Sequence, residues 1–343
     1  MNSFNHGQSP AKLSLSDYTV GWVCALHIEM AAAQAMLDEV HESLPNSPFD
    51  SNTYILGRMG RHNVVIACLP TDGYGIANAA NVGTNMNRSF PSICWRLMVG
   101  VGGGVPGKVD VRLGDIVVGK RTEQYDLGKT VQDGRFQRMP ISQKPPYKLR
   151  TAVTKLRAHH ESEPSMLPTI LSDMFKRYPS MTRYTHPGIF QDRLFHSSYD
   201  HDNSMVSCES CDTSKLVERP ARTATDPKIH YGGIASGNQV MKDGKTRDQL
   251  ATELNVICFE MEAAGLMDNF PCLVIRGICD YSDSHKNKRW QEYAAATAAA
   301  YAKELLSIVS ADEIRQPLMA EMSTITGKSL CLMHGAAALL MLL

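Results

Sequence analysis

The sequence predicts an α/β fold whose central sheet is mixed or mostly parallel. Short apolar segments rich in β-branched residues alternate along the chain with segments in which apolar residues recur at helical spacing. Two of the helical segments, 75–87 and 290–309, are rich in alanine, which is typical of helices that pack closely on a sheet. In such sheets ligands bind at the carboxyl ends of the strands, so residues that directly follow a strand are the first candidates for function.

The elements follow from the same patterns in chain order. The first apolar segment, 18–26, predicts a buried strand, and the spacing of Met30, Ala33 and Leu37 predicts the helix after it. Arg61-His-Asn precedes another apolar run and indicates a hairpin. In all, strands are predicted at 18–26, 53–57, 64–69, 95–101, 113–119, 228–236, 256–259 and 272–278. Helices are predicted at 29–40, 75–87, within 143–157, and at 246–254, 262–269 and 290–309.

One domain is predicted over residues 18–310. The stretch at about 159–227 is rich in Pro, Ser, His and Asp and has few periodic apolar positions, so we interpret it as an insertion that is partly loop. Residues 1–17 are polar and predict a disordered tail, whereas 311–343 show no clear role.

Composition excludes several classes of protein. The 343 residues are 43% hydrophobic and 20% charged, which is typical of a globular protein. Lys+Arg and Asp+Glu are both 35, so the zero net charge argues against nucleic-acid binding through a basic surface. Nine cysteines are too few for a disulfide scaffold, and no apolar run is long enough to span a membrane. We therefore expect a cytoplasmic protein with no membrane partner.

Three short segments place carboxylates just after an apolar strand. They are Ala25-Leu-His-Ile-Glu29, Cys258-Phe-Glu-Met-Glu262 and Arg276-Gly-Ile-Cys-Asp280. A carboxylate at the end of a buried strand is costly unless it is paired, hydrated or used. Each one alone is compatible with a helix N-cap, but three together at strand ends favour a site.

These segments resemble motifs of the purine nucleoside phosphorylase and methylthioadenosine nucleosidase family. Glu260-Met261-Glu262-Ala-Ala-Gly resembles the V-E-M-E-A-A signature, and Asp280 is placed like the aspartate of the family's S-D pair. Further collinear similarities lie at 21–29, 99–104, 113–118 and 236–241. The resemblance covers roughly residues 18 to 306 outside the insertion. It implies a three-layer α/β/α sandwich with a central mixed sheet that cleaves the N-glycosidic bond of nucleosides, and assembly into homo-oligomers.

The resemblance also implies roles for individual residues. Asp280 would protonate the purine at N7, and Glu29 would orient or deprotonate the nucleophilic water. Glu262 would accept hydrogen bonds from the ribose hydroxyls, and Met261 would pack on the ribose. Glu260 would lie on the same face as Glu262 if the strand continues there.

The remaining binding residues come from the segments 99–104 and 236–241 and from Phe259, which precedes Glu260. The backbone around Phe259 and the side chain of Val240 or Met241 would flank the base. Gly102 lies in the glycine run after its strand, and Asn238 lies in the segment that resembles the family's base-binding loop. No metal and no cofactor are expected for this chemistry.

Hydrolysis is favoured over phosphorolysis. Phosphorylases of the family carry Arg and Ser where this chain has Met98 and Val101, and neither of these side chains binds phosphate. Glu29 matches the hydrolytic members, in which a carboxylate lies near the nucleophile. Arg61 or Arg96 could still supply a cation, so a phosphorylase remains an alternative.

A cluster of basic residues, Lys286, Lys288 and Arg289, follows the last strand and suggests a cradle for the phosphates of a nucleotide. The alternative is a solvated helix start. The chain also resembles the nucleoside phosphorylase-like domains of fungal NLR-like receptors, which implies an immune effector that cleaves ATP or dATP to the base and the sugar triphosphate. Adenosine or inosine is the next candidate substrate, and a non-catalytic nucleoside-binding module is an alternative of another class.

Two other motifs predict no function. Cys208-Glu-Ser-Cys211 has no second cysteine pair, and although His196 or His201 could add a ligand, no metal site is predicted. Gly102-Gly103-Gly104 lacks the Gly-Lys-Ser/Thr ending of a phosphate-binding loop, so a kinase or NTPase is not expected.

Overall fold

A mixed sheet of ten strands forms the centre of the described part of the chain. The computed structural model describes residues 13–45, 47–139, 141–202, 207–222 and 224–311. The strands are β1 (Val20–Cys24), β2 (Glu39–Val40), β3 (Tyr54–Met59), β4 (His62–Cys68), β5 (Trp95–Gly104), β6 (Ile116–Gln124), β7 (Gly128–Thr130), β8 (Phe136–Arg138), β9 (Ile141–Gln143), β10 (Ile229–Ser236), β11 (Val256–Glu260) and β12 (Leu273–Asp280). The helices are α1 (His27–Ala35), α2 (Ile76–Ser89), α3 (Tyr147–His160), α4 (Leu167–Arg177), α5 (Gly244–Leu254), α6 (Ala263–Leu266) and α7 (Gln291–Ser307).

The sheet runs in the order β11-β10-β6-β12-β5-β1-β4-β3-β2, and β9 pairs with β6. The pairs β1–β4, β1–β5, β5–β12, β6–β10 and β10–β11 are parallel, whereas β6–β12, β2–β3 and β3–β4 are antiparallel. The end of β5 also pairs with β11, Gly103 beside Phe259 and Gly104 beside Cys258. This contact curls one end of the sheet back on itself and brings the ends of β5, β11 and β12 together.

Helices cover both faces of the sheet, which confirms the predicted three-layer sandwich. One hydrophobic core joins the sheet to α1, α3, α4 and α7, and a second joins it to α2 and α6. A third, smaller core joins α5 to β10 and β11.

Small residues allow the closest approaches, both of α7 to the sheet, as the alanine content of the sequence indicated, and of α6 to α2. A Cβ atom added at Gly277 of β12 would meet the carbonyl oxygen of Ala294 on α7. At Gly265 of α6 it would meet the carbonyl oxygen of Ile76 on α2. Both helices therefore lie against backbone rather than against side chains.

The insertion contains more regular structure than the sequence indicated. His159 and His160 still belong to α3, and α4 follows within the insertion. Leu167, Leu171 and Met174 of α4 are buried, because they recur at i, i+4 and i+7 and form one apolar face. Pro and Ser in the surrounding stretch concealed this short periodic run.

Other differences are local. Strand β6 begins at Ile116 because Gly114 takes a positive φ of 85° in a turn, so the strand predicted from 113 starts later. Helix α6 has four residues, fewer than the predicted 262–269. In the predicted N-terminal tail, Leu15–Asp17 form a 3₁₀ turn, and residues 1–12 lie outside the described part.

The predicted C-terminal tail, 311–343, lies outside the described residues from 312 onward. None of the described helices combines the length and the apolar composition that a membrane span requires.

Gly277→Ala tests the packing of α7 on the sheet. The added methyl group overlaps the Ala294 carbonyl oxygen, so we expect a loss of about 3 kcal/mol in the free energy of unfolding, measured by urea denaturation. The matched control is Gly134→Ala, where a Cβ meets nothing and only the positive φ of 70° is costly, about 1 kcal/mol. Equal losses for the two variants would contradict the close packing.

Candidate active site

A cavity of about 400 Å³ lies where β5, β11 and β12 end. Its wall includes residues from all three carboxylate segments predicted from the sequence, two glycines of β5, Gly102 and Gly103, and several cations, but not Asp280 itself. The predicted site residues that line it are Glu29, Gly102, Val240, Met241, Phe259, Glu260, Met261, Glu262, Lys286 and Lys288. This edge of the sheet is where an α/β protein binds its ligand.

Arg276 of β12 is the only arginine whose side chain is buried in this wall among the described residues; it is 1% exposed. Its guanidinium donates to the carboxylate of Glu260 and lies 3.4 Å from an oxygen of Glu262. It also donates to the Val101 carbonyl oxygen at 3.2 Å. The sequence alone predicted no role for Arg276. An arginine within the apolar run of a buried strand nevertheless has to be paired with acidic groups, because an unpaired buried charge is costly.

Glu260 and Glu262 are held by the turn from β11 into α6. The Glu260 carboxylate accepts from the backbone N–H groups of Glu262 at 3.1 Å and Ala263 at 3.0 Å. Glu262 stands at the N-cap position of α6 and is 5% exposed. Glu260 therefore fixes the turn, and Glu262 faces the cavity beside Arg276.

Glu29 is placed by the first turn of α1. One oxygen accepts from the N–H groups of Ala25 at 2.7 Å and Leu26 at 3.0 Å, and the other accepts from Val101 at 2.7 Å. A carboxylate at the third position of a helix satisfies N–H groups that the helix cannot pair internally. The structure thus shows Glu29 in the helix-start role that the sequence allowed, and the same side chain lines the cavity.

Gly100 of β5 makes room for Glu29 and Arg276 to meet. A Cβ at this position would lie 2.6 Å from the Glu29 carboxyl carbon and 2.7 Å from Nη1 of Arg276. The two side chains therefore approach each other across the bare backbone of the strand.

One guanidinium does not neutralise three buried carboxylates. Burial, together with the charges of Glu260 and Glu29, raises the pKa of Glu262 to about 7, although Arg276 lowers it. Burial also raises the pKa of Glu29, although Arg276 and three backbone N–H groups stabilise its anion. Toward neutral pH Glu262 therefore retains a proton that an exposed glutamate would have lost.

Asp280 is paired with Lys286. The ammonium Nζ lies 2.8 Å from Oδ2 of Asp280, and Oδ1 accepts from the N–H of Ser282 at 2.9 Å. Burial opposes the charge of Lys286, but the Asp280 carboxylate outweighs it and raises the pKa of the ammonium. Lys286 lines the main cavity, whereas Asp280 lines a neighbouring cavity of about 200 Å³.

The groups predicted around the base divide into two sets. Phe259, Val240 and Met241 line the cavity, and the Phe259 ring is held edge-on by Tyr125 at 5.6 Å between centroids. Asn238 does not line it. Its side chain accepts from the N–H of Ile76 at the start of α2 and donates to Asp126, so it fastens the loop.

The basic cluster is also divided. Lys288 lines the cavity, but Arg289 turns toward the insertion, where it donates to Gln191 at 2.6 Å and pairs with Glu209 at 3.3 Å. The prediction that Arg289 belongs to one basic cradle with Lys286 and Lys288 is therefore not met by the structure, because its partners lie on the other side.

The insertion supplies a cation that sequence analysis missed. Arg183 lines the cavity and pairs with Glu292 of α7. The hydroxyl of the adjacent Tyr184 donates to the Ile28 carbonyl oxygen at 3.0 Å, which anchors this turn beside α1. No local motif surrounds Arg183, so only the folded chain reveals it.

The fold and the cavity define the class of nucleoside phosphorylases and nucleosidases. Residues 19–311 match the family model of the phosphorylase superfamily, and the chain belongs to this family. This confirms the resemblance found in the sequence.

Relatives of known sequence are of two kinds. The chain is 44% identical over 311 residues to a nucleotide-binding leucine-rich repeat (NLR)-like protein of Hyaloscypha variabilis, covering 88% of this chain but only 30% of that protein. It is 25% identical over 298 residues to a 5′-methylthioadenosine/S-adenosylhomocysteine nucleosidase of Mycobacterium bovis, covering 85% and 96% of the two chains.

Solved structures share the fold. The futalosine hydrolase of Helicobacter pylori superimposes with a TM-score of 0.56 at 17% identity, over 85% of this chain and 99% of that one. The 5′-methylthioadenosine/S-adenosylhomocysteine nucleosidase of the same organism gives a TM-score of 0.57 at 16% identity, over 86% and 100%.

Glu262→Gln tests whether Glu262 retains a proton in the folded state. The folded-state pKa of Glu262, about 7, lies above its ordinary value of 4.5, so the folded state retains a proton that the unfolded chain loses. The free energy of unfolding should therefore fall as the pH rises from 4.5 to 7, by on the order of 2 kcal/mol from this group. Glu262→Gln should flatten this fall in urea denaturation series across that range.

Glu253→Gln is the control for that series. Glu253 is an exposed carboxylate paired with Arg138 at 2.8 Å, so its removal should leave the slope unchanged. A Glu262→Gln variant with the wild-type pH dependence would show that the proton resides elsewhere.

Proposed function

We propose that this protein is a purine N-glycosidase that cleaves the bond between base and sugar with water. The observation that carries the proposal is the set of Glu29, Glu260 and Glu262 gathered around Arg276 at the cavity wall. A ribosyl oxocarbenium ion is positive, so a wall of carboxylates stabilises the charge that develops as the bond breaks. The nucleosidase relatives support the same reaction type.

The nucleophile is assigned to a water molecule beside Glu29. The raised pKa of Glu29 makes this carboxylate a better base than an exposed one, because burial disfavours its anion. Glu29 takes a proton as the water oxygen bonds to C1′ of the sugar. The C1′–N9 bond breaks, and its electron pair leaves with the purine.

Ribose and base have separate supports. Glu262 accepts from the ribose hydroxyls, Met261 packs on the sugar, and Phe259 covers the base, all three being in the cavity wall. Glu260 touches backbone N–H groups and Arg276, so we assign it to positioning Glu262 rather than to contact with the sugar.

The leaving base needs a proton at N7, and we assign the donor to the pair of Asp280 and Lys286. The resemblance in the sequence implies this role for Asp280 alone. Because the Lys286 ammonium lies 2.8 Å from Asp280 and lines the cavity, the proton that reaches the base comes from the pair. The overall reaction consumes one water and yields the neutral purine, with the new proton on N7, and the free sugar. The proton on Glu29 returns through solvent to the Asp280–Lys286 pair, which restores the starting state.

Water rather than phosphate is favoured because the cations near the nucleophile position are engaged. Arg276 is bound by two carboxylates and a carbonyl oxygen. Arg61 and Arg96, the alternative cations, do not line the cavity, and Arg96 donates to Asn87 at 2.8 Å instead. Val101, which stands where phosphorylases carry Ser, donates its N–H to Glu29, so this N–H is not available to phosphate.

The reaction is tested by mass spectrometry of the products from ATP, dATP, AMP, adenosine, inosine and guanosine, with and without inorganic phosphate. We expect release of the free base at the same rate under both conditions. Glu29→Gln and Asp280→Asn should each lower kcat by about 100-fold or more, because each removes a proton-transfer group.

The control is Glu39→Gln, which changes a carboxylate exposed on β2 and paired with Arg58 at 3.0 Å. Ribose 1-phosphate formed only with phosphate would establish a phosphorylase instead. No base release from any substrate would leave a nucleoside-binding module.

The substrate class we propose is a phosphorylated purine nucleoside, with ATP and dATP first. Lys288 lines the cavity and is exposed, so its ammonium can meet an anionic group. Arg183, which pairs with Glu292, and the exposed His27 line the same cavity and can add further donors. A bare nucleoside has no group for them. The similarity to an NLR-like protein supports a role as an immune effector.

Variants of two lysines test the proposed substrate and the proposed proton donor separately. Lys288→Met should raise KM for ATP about tenfold and leave adenosine unchanged, because a lost charge-assisted contact to phosphate is specific to the nucleotide. Lys286→Met should lower kcat for both substrates, because it breaks the pair with Asp280. The measurement is steady-state base release.

Arg289→Met is the matched control, since Arg289 faces away from the cavity toward Gln191. Equal effects of Lys288→Met on ATP and adenosine would contradict the phosphate assignment without touching the reaction type.

A further inference from the structure

Three metal-ligating side chains converge in the insertion, away from the cavity. His201, Cys208 and Cys211 place one ligand atom each so that all three atoms lie within 4.8 Å of one another. All three residues are half-buried. Cys208 and Cys211 come from one 3₁₀ turn, Cys208–Ser210 and the residue after it, whereas His201 is brought to them by the fold.

The donor set and its dimensions fit zinc. Two thiolates and an imidazole are the donors of structural zinc sites, and hard cations such as Mg²⁺ or Ca²⁺ take oxygen ligands instead. Bonds of about 2.0–2.3 Å give tetrahedron edges of roughly 3.5–3.8 Å. The three ligand atoms lie within 4.8 Å of one another, so small side-chain movements suffice to bring them onto one ion.

An unsatisfied histidine beside the cluster is a second, independent sign of a ligand. His285 is 7% exposed, and neither of its ring nitrogens has a hydrogen-bond partner in the described structure. Its ring stands edge-on to that of His201, 5.5 Å between centroids. A buried imidazole with two unpaired nitrogens is costly, and the fourth position of a tetrahedral ion beside it would relieve that cost.

The cluster also contacts the segment Ser284–His285, which directly precedes Lys286. The Cys208 sulfur is 3.4 Å from the carbonyl oxygen of His285, and the N–H of His201 donates to the Ser284 hydroxyl at 2.9 Å. The Phe195 ring stacks on His285 with 4.1 Å between centroids. An ion held here would therefore fasten the insertion to the loop that follows Asp280.

This part of the insertion has little regular secondary structure. Between 185 and 222 the described residues form 3₁₀ turns and one isolated bridge, Phe195 with Leu216. A short irregular segment without a sheet ladder or a long helix gains most from a metal crosslink.

We propose that His201, Cys208 and Cys211 bind a zinc ion that crosslinks the insertion beside the Asp280–Lys286 loop. The sequence predicted no metal at the Cys208–Cys211 pair, because a single pair with no histidine at zinc-finger spacing is weak evidence. The tertiary structure supplies the third ligand from His201, and His285 is the candidate for the fourth.

The first test measures metal in the whole purified protein by inductively coupled plasma mass spectrometry. We expect about one zinc ion per chain, and less than about a tenth of that in Cys208→Ser, Cys211→Ser and His201→Ala. Cys68→Ser, a half-buried cysteine of β4 outside the cluster, is the control and should keep its zinc. Wild-type protein that contains no zinc and takes up none when dialysed against it would overturn the proposal.

A second test needs no variant that might fail to fold. Cobalt(II) loaded into the wild-type protein should give the intense visible absorption of a tetrahedral ion and a thiolate charge-transfer band. Alkylation mapped by mass spectrometry should spare Cys208 and Cys211 until a chelator is added. A Cys208–Cys211 disulfide in protein kept under reductant, or alkylation indifferent to the chelator, would contradict the site.

Discussion

The buried guanidinium of Arg276 is the interaction on which the cavity depends. It joins β12 to the end of β11 through Glu260, to the start of α6 through Glu262, and to β5 through the Val101 carbonyl oxygen, while Glu29 of α1 meets it across a glycine. Four elements thus converge on one cation. A buried charge is costly without such partners, and each carboxylate would be equally costly without the arginine, so the group is stable only as a whole.

The imbalance of charge in this group is what makes it chemically useful. Three acidic groups share one fixed cation, so burial raises the pKa of Glu262 to about 7 and also raises that of Glu29. The same wall is therefore able to hold a proton and to stabilise a developing positive charge. At the end of β12, Asp280 and Lys286 form a second pair, which is balanced in charge and whose ammonium lines the cavity.

In the insertion, the sequence pattern does not reveal which residues are helical or which reach the cavity. Its composition predicted an irregular segment, and most of the described part is irregular, yet α4 buries one apolar face and Arg183 reaches the cavity. A three-residue apolar stripe among prolines and serines is too short to separate from chance. The sequence offered His196 and His201 equally as partners of Cys208 and Cys211, and only the fold brings His201 to them, because nothing local specifies the path of the chain between them.

The sequence by itself determined the layered fold and most of the cavity wall. Apolar periodicity specifies which segments are strands and helices, and the position of Glu29 and Glu262 directly after strands specifies the edge at which they meet, because these properties are local. Only the tertiary structure decided the partners. It gave Arg276 its carboxylates, placed Lys286 on Asp280 and turned Arg289 away from the cavity. The physical reason is that a side chain's charge is fixed by its residue type, whereas its partner is fixed by the packing of elements distant in the chain.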